Sequence, residues 1–172
     1  MREIAYSGDF AKLLEINSDD HYYVSYDAEK IKQIINDYAT VNAKDKFGKY
    51  FIHYAAQFGM NDIVSFLIEK SANLNVELKR TKMTPLFLAL VNGHYETAQL
   101  LLSNGATLLS TGESIDEILK DDDIENYTSV RIDQQKKKEF ITFLLEESDF
   151  VTKEEKTILR NYRLNLLFKK TP

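Results

Sequence analysis

Apolar residues recur along the middle of the chain with the period of short amphipathic helices. In residues 61–70, apolar side chains fall at positions i, i+1, i+4 and i+5, so they form one stripe along a helix. The stripe consists of Ile63, Val64, Leu67 and Ile68. The preceding stretch, 50–58, is mostly apolar and is followed by Gly59, a residue suited to the left-handed conformation that ends many helices. The pattern predicts two consecutive short helices.

The same two-helix pattern recurs further along the chain. Thr84-Pro85 begins a short apolar helix, with proline where its missing N–H group costs least, and Gly93 ends it before a second helix over 95–103. A shift of 34 residues places Ala55 on Ala89, Gly59 on Gly93, Leu67 on Leu101 and Ala72 on Ala106. This period is typical of stacked helix pairs that bury their apolar faces only against their neighbours. The sequence therefore predicts an all-α solenoid.

The helix starts and turns of these repeats resemble those of the ankyrin family. Residues 84–87 are similar to the helix-opening tetrapeptide of that family, with Phe87 in place of histidine, and residues 52–56 resemble the same stretch with His53 in the histidine position. The turns between helices, 58–60 and 92–94, and the repeat junctions, 41–45 and 104–106, are similar to those of the family. The resemblance implies an ankyrin-repeat solenoid of about four helix pairs, with degenerate terminal repeats and a C-terminal capping helix.

We expect a single domain over residues 1–172, because a chain with two prolines and six glycines has no Pro- or Gly-rich linker that would divide it. Its well-matched repeats span 39–108. Residues 1–38 are expected to form one or more degenerate repeats, with a helix pair around Phe10, Leu13 and Leu14 and an insertion at 18–26. Residues 109–172 are expected to form a degenerate repeat, with a helix over 134–147, and a capping helix. Capping boxes at Ser114 with Glu117, and at Thr152 with Glu155, begin two of these C-terminal helices.

Composition and charge exclude several functions. A net charge of −5 argues against nucleic acid as a partner, since binding phosphates needs a concentrated basic surface. The absence of cysteine excludes disulfides and thiolate chemistry. The first residues lack the apolar core of a secretory signal, and no apolar run approaches the ~20 residues that span a bilayer. We expect a cytoplasmic monomer without membrane contact, or one delivered into a host cell if the chain is a secreted effector.

Candidate catalytic and metal-binding groups are few. The resemblance gives His53 and His94 structural hydrogen bonds, and His21, in the insertion, has no assigned role. The sequence contains no nucleophile elbow, phosphate-binding glycine loop or zinc-binding His-Glu-x-x-His helix. The acidic stretch 121–125 lacks the glycine and the final glutamate of a helix-loop-helix calcium site, so a solvated loop is the simpler interpretation. We predict no enzymatic activity, no cofactor and no metal.

The resemblance implies a concave binding face made of the loops between repeats, called fingers, and the exposed side of each first helix. We define the first finger as residues 44–50 and the second as residues 76–83. The predicted partner-binding residues are Lys46, Phe47, Lys49, Gln57, Phe58, Arg80, Thr81, Met83, Val91 and Asn92. Phe47 and Phe58 are expected to be exposed, and they either bind the partner or pack over the repeat stack.

Both fingers are basic although the chain is acidic. The cations are Lys44, Lys46 and Lys49 in the first finger and Lys79, Arg80 and Lys82 in the second. The partner is therefore predicted to be a protein with an acidic surface, since opposed potentials speed encounter; the alternative is that these side chains are simply solvated. The second finger is one residue longer than the family pattern, with Lys79 and Lys82 where aspartate and glycine are expected, which predicts a distorted turn.

The predicted function is a non-enzymatic protein–protein interaction module that binds through this concave face. The alternative is an inhibitor of a toxin or of a secreted effector. In that case the activity would reside in the divergent segments 18–26 and 110–172 rather than in the fingers.

Overall fold

The computed structural model describes residues 14–16, 24–37, 41–45, 47–79, 82–108 and 134–146, together with single helical positions at 153, 156, 157, 160 and 161. Its two strands are β1 (Leu14–Ile16) and β2 (Val24–Tyr26). Its helices are α1 (Ala28–Asp37), α2 (Phe51–Gln57), α3 (Asn61–Glu69), α4 (Pro85–Val91), α5 (Tyr95–Ser103) and α6 (Gln134–Glu146).

The middle of the chain is a two-layer stack of helix pairs, as predicted. The inner helices α2 and α4 pack against each other, and the outer helices α1, α3 and α5 pack in sequence behind them. All seven residues of α2 and all seven of α4 are buried, whereas α3 buries only one stripe, Ile63, Val64 and Leu67. Each large apolar side chain buried in this way contributes roughly 1.5–3 kcal/mol to the free energy of unfolding. The all-α solenoid is confirmed in this region.

Local interactions begin and end the helices where the sequence predicts. Thr84 caps α4, because its Oγ1 accepts a hydrogen bond from the backbone N–H of Phe87 at 3.2 Å, and Pro85 occupies the first helical position. Gly59 and Gly93 end the inner helices with φ angles of +65° and +78°. These left-handed residues turn the chain directly into the outer helix of the same repeat.

Asparagine side chains join successive repeats at the junctions. Asn42 Oδ1 accepts a hydrogen bond from the backbone N–H of Asn73 at 2.8 Å, and one repeat later Asn75 Oδ1 accepts one from the N–H of Thr107 at 2.7 Å. Asn75 Nδ2 also donates to the carbonyl of Gly105 at 3.2 Å. Equivalent positions therefore make equivalent bonds, which confirms the repeat register read from the sequence.

The N-terminal part departs from the predicted helix pair. Leu14 lies in β1, which pairs antiparallel with β2 so that Leu14 is opposite Tyr26. The prediction of a helix at Leu14 is wrong, and the insertion 18–26 ends in a strand, because valine and tyrosine at alternate positions favour extended backbone. The Tyr26 hydroxyl donates to Asp62 Oδ1 at 2.7 Å, which fixes β2 to the start of α3. Residues 1–13 and 17–23 lie outside the described residues.

At the other end, α6 confirms the helix predicted over 134–147. Ile141 and Leu144 are buried, and the ring of Phe143 stacks on that of Tyr95 in α5, with centroids 5.1 Å apart. The helical positions between 153 and 161 fall within the predicted closing helix. The capping-box residues Ser114, Glu117, Thr152 and Glu155 and the acidic stretch 121–125 lie outside the described residues.

Candidate partner-binding surface

The first finger is organised by a single buried carboxylate. Asp45 Oδ1 accepts hydrogen bonds from the backbone N–H groups of Phe47 at 2.8 Å and Lys49 at 2.9 Å, and its Oδ2 accepts one from the Tyr54 hydroxyl at 2.7 Å. Gly48, with φ at +79°, closes the turn. Asp45 thus ties the loop on both sides of Gly48 to itself and to helix α2.

Phe47 lies at the tip of this finger and is 64% exposed. No other large apolar side chain among the residues that the structure describes is classed as exposed. The predicted exposure of Phe47 is confirmed. Phe58, in contrast, is half-buried and packs against the core, so only part of its ring reaches the surface.

Lys49 joins the finger to the inner helix. Its Nζ donates a hydrogen bond to Gln57 Oε1 at 2.9 Å and lies 4.6 Å from the centroid of the Tyr54 ring. Burial lowers the pKa of Lys49 because it removes water from the ammonium group, and the nearby charge of Asp45 offsets this only in part. The sequence pattern did not reveal this arrangement, since a spacing of eight residues between a loop and a helix is not a recognisable motif.

Three of the predicted binding residues are buried. Gln57 is 6% exposed, Met83 4% and Val91 5%, so these side chains present little surface to a partner. Gln57 and Val91 belong to inner helices in which every residue is buried, and Met83 lies directly before the capping residue of the second of them. Asn92 is half-buried, and its Nδ2 donates to the Leu88 carbonyl at 2.7 Å at the end of α4. Lys46, Arg80 and Thr81 lie outside the described residues.

The backbone hydrogen bonds of the second finger each span one residue more than those of the first. The N–H of Leu78 donates to the Met83 carbonyl at 3.1 Å and the N–H of Lys82 donates to the Leu78 carbonyl at 2.9 Å. Lys82 takes a left-handed conformation with φ at +58°, one repeat after Gly48. In this hydrogen-bond pattern Leu78, and not Lys79 as the sequence predicts, takes the place of Asp45, and its side chain offers no acceptor for the turn.

His53 is buried in the structure rather than placed for catalysis. Its Nδ1 accepts from the backbone N–H of Tyr50 at 3.1 Å, and its Nε2 lies 3.1 Å from the Val76 carbonyl, so a neutral ring with the proton on Nε2 satisfies both contacts. Burial lowers the pKa of His53 to about 4. The ring therefore links two repeats in its neutral form.

The remaining candidates from the sequence are the other two histidines, a metal site and a membrane span. His94 lies against the backbone of Gly59 in the preceding repeat, and His21 lies outside the described part. Within the described residues, no cluster of three or more histidine or acidic side chains could hold a metal ion. None of the helices described there is long and apolar enough to cross a bilayer.

Comparison with known proteins extends the likeness beyond single motifs. The family model described as ankyrin repeats (3 copies) matches residues 21–111, which is 91 of the 172 residues. Neurogenic locus notch homolog protein 1 of Xenopus tropicalis is 41% identical over 59 residues, 34% of this chain and 2% of that protein. BCL-6 corepressor-like protein 1 of Homo sapiens is 33% identical over 96 residues, 54% of this chain and 5% of that protein.

A putative ankyrin repeat protein of Acanthamoeba polyphaga mimivirus is 26% identical over 80 residues, which is 46% of this chain and 10% of the relative. The chain thus matches a tenth or less of the length of each of these three relatives. What they share with it is the repeat unit.

Proposed function

Because the chain belongs to the ankyrin-repeat family, whose repeats are protein–protein interaction modules, we propose that it binds a partner protein through its concave finger face and catalyses no reaction. The surface in this proposal consists of the described side chains of Lys44, Phe47, Lys49, Phe58, Lys79, Lys82 and Asn92, together with Lys46, Arg80 and Thr81. We call it the finger face.

The observation that carries the proposal is the exposure of Phe47. An apolar ring that is 64% exposed gains free energy when a partner covers it, and an ordered loop loses little conformational freedom on binding. Asp45 provides that order, since it holds the backbone on both sides of Gly48. Aromatic side chains on rigid backbone are the usual anchors of protein interfaces.

Charge supports an acidic partner surface. The first finger has three lysines against one aspartate, and the second has two lysines and one arginine against one glutamate, so each has a net charge of +2 in a chain of −5. Lys44 and Lys79 are exposed. Lys82 is also exposed, and it pairs at 3.4 Å with Glu77, a surface ion pair of small energy.

Site-specific photo-crosslinking in cells tests the proposal. A photoreactive phenylalanine analogue replaces Phe47 in one chain and Gln99, an exposed residue of outer helix α5, in the other. We expect a protein to be crosslinked from position 47 and not from position 99, and we expect that crosslink to disappear when Lys44 and Lys79 are both changed to Glu. If both positions crosslink the same proteins with equal yield, the finger face is not the binding surface.

A further inference from the structure

Lys49 differs from the other described lysines of the finger face in its surroundings. Lys44, Lys79 and Lys82 are exposed, whereas Lys49 is half-buried, with its Nζ held between Gln57 Oε1 and the face of the Tyr54 ring. Its ammonium group is therefore both fixed in position and partly removed from water. Such a group binds an anion with a smaller loss of conformational entropy than a solvated lysine does.

The same ammonium group has no ion pair among the described residues. Asp45 is the acidic residue whose charge Lys49 senses, but the oxygens of Asp45 accept from two backbone N–H groups and from the Tyr54 hydroxyl. No carboxylate of the described part lies within 4 Å of Lys49 Nζ. A partly desolvated ammonium group whose cost the charge of Asp45 offsets only in part is unfavourable in the free protein, and a partner carboxylate removes the rest of that cost.

We infer that Lys49 is the receptor for one aspartate or glutamate side chain of the partner, which lies next to Phe47 on the first finger. The inference rests on the proposed function and specifies its chemistry. An ammonium group has three N–H donors, and the bond to Gln57 uses one of them. The partner segment therefore combines a carboxylate for Lys49 with an apolar side chain or pocket for Phe47.

The next repeat shows that the fold does not require this polar pair. One period of 34 residues further, Met83 and Val91 occupy the positions of Lys49 and Gln57, and both are buried. The double change Lys49→Met with Gln57→Val thus copies a pair that the solenoid already contains. It removes the proposed receptor and keeps a side-chain arrangement that the repeat accommodates.

The experiment is a selection from a phage-displayed library of random twelve-residue peptides on four purified chains: wild type, Lys49→Met with Gln57→Val, Lys49→Arg, and Lys79→Gln. Lys79→Gln removes the same charge from an exposed position of the finger face. Peptides selected on the wild type are then measured on all four chains by fluorescence anisotropy.

We expect peptides enriched in Asp and Glu from the wild type, and a loss of affinity of about 10-fold or more in the Lys49→Met with Gln57→Val chain. Lys49→Arg should keep most of the affinity, and Lys79→Gln should reduce it by less than about 3-fold, as for a solvated charge. Selected peptides without acidic enrichment, or equal losses in the Lys49 and Lys79 variants, would overturn the inference and leave the proposed function standing. A fifth chain, Phe47→Ala, is measured in the same way. If neither this substitution nor those at Lys49 lowers the affinity of the selected peptides, both the inference and the proposed function are contradicted.

Discussion

Gly59 and Gly93 occupy the same turn in successive repeats, yet the structure predicts different costs for replacing them. Both have positive φ, +65° and +78°. A Cβ atom at Gly59 would lie 2.5 Å from Nδ1 and 2.8 Å from Cγ of the His94 ring, whereas a Cβ at Gly93 would have no neighbour within 4 Å. Gly59→Ala therefore adds a steric conflict between repeats to the backbone strain that both substitutions share.

The two contributions can be separated in magnitude. Placing alanine in a left-handed conformation costs about 1–2 kcal/mol, which is the whole expected effect of Gly93→Ala. Displacing the His94 ring from its position adds about 1–2 kcal/mol, the usual range for a forced rotamer or an overpacked contact. We expect Gly59→Ala to lower the free energy of unfolding by about 2–4 kcal/mol, hence clearly more than Gly93→Ala.

Urea denaturation followed by circular dichroism measures these values, and a thermodynamic cycle with His94→Ala identifies the cause. In the His94→Ala chain the steric conflict is gone, so Gly59→Ala should cost no more than Gly93→Ala does there. A coupling below about 0.5 kcal/mol between positions 59 and 94 is the size expected of independent sites. That result, or equal costs for the two glycine substitutions in the wild-type chain, would refute the proposed contact.

Three further predictions concern the histidine and the fingers. Burial lowers the pKa of His53 to about 4, so the neutral ring contributes its full stabilisation above the unfolded pKa of 6.5 and loses it as pH falls from 6.5 towards 4. Urea titrations should show the free energy of unfolding fall by up to about 3 kcal/mol over this range. His53→Gln should remove this part of the pH dependence. Lys82→Gly should raise the free energy of unfolding by about 0.5–1 kcal/mol in thermal denaturation, because φ is +58° there, while Lys79→Gly should not; equal effects would contradict the strain. Lys49→Met with Gln57→Val should stabilise the chain by about 1 kcal/mol in urea titrations, and a destabilised double variant would show that the polar pair supports the fold.

The repeat architecture could be predicted from the sequence because its signals are local and recur. The apolar stripe of α3, the Thr84-Pro85 helix start and the glycines after the inner helices each have a physical reason within a few residues, and each reappears after one period. Side-chain bonds at the junctions follow the same register, as Asn42 and Asn75 show.

The terminal region was less predictable because the same apolar residues suit more than one structure. Leu14 fits the stripe of a degenerate helix, but it pairs across a hairpin with Tyr26. That pairing is joined to the stack by the bond from Tyr26 to Asp62, 36 residues further along the chain. A contact of this sequence separation leaves no periodic signal in the sequence. Tertiary contacts therefore determine that Leu14 lies in a strand rather than in a helix.

Burial on the binding face was also hidden from the sequence. The resemblance to the family assigns positions 49, 57, 83 and 91 to the binding face, but it does not indicate whether a given side chain contacts a partner or packs between finger and helix. The residue type decides this in each repeat. Lys49 keeps its ammonium group near the surface, where it bonds to Gln57, whereas Met83 at the equivalent position is buried between finger and helix.

The residues at equivalent positions thus make the two fingers differ in how well their turns are held. The first finger has Asp45 to hold its turn, Gly48 to close it without strain and His53 beneath it to join the next repeat. The second has Leu78, Lys82 and Phe87 at these three positions, which leaves a longer turn with a strained residue. Because a rigid loop presents its side chains at a smaller entropic cost than a loop with poor turn chemistry, recognition should depend more on the first finger, and substitutions at Phe47 and Lys49 should weaken binding more than the same changes in the second.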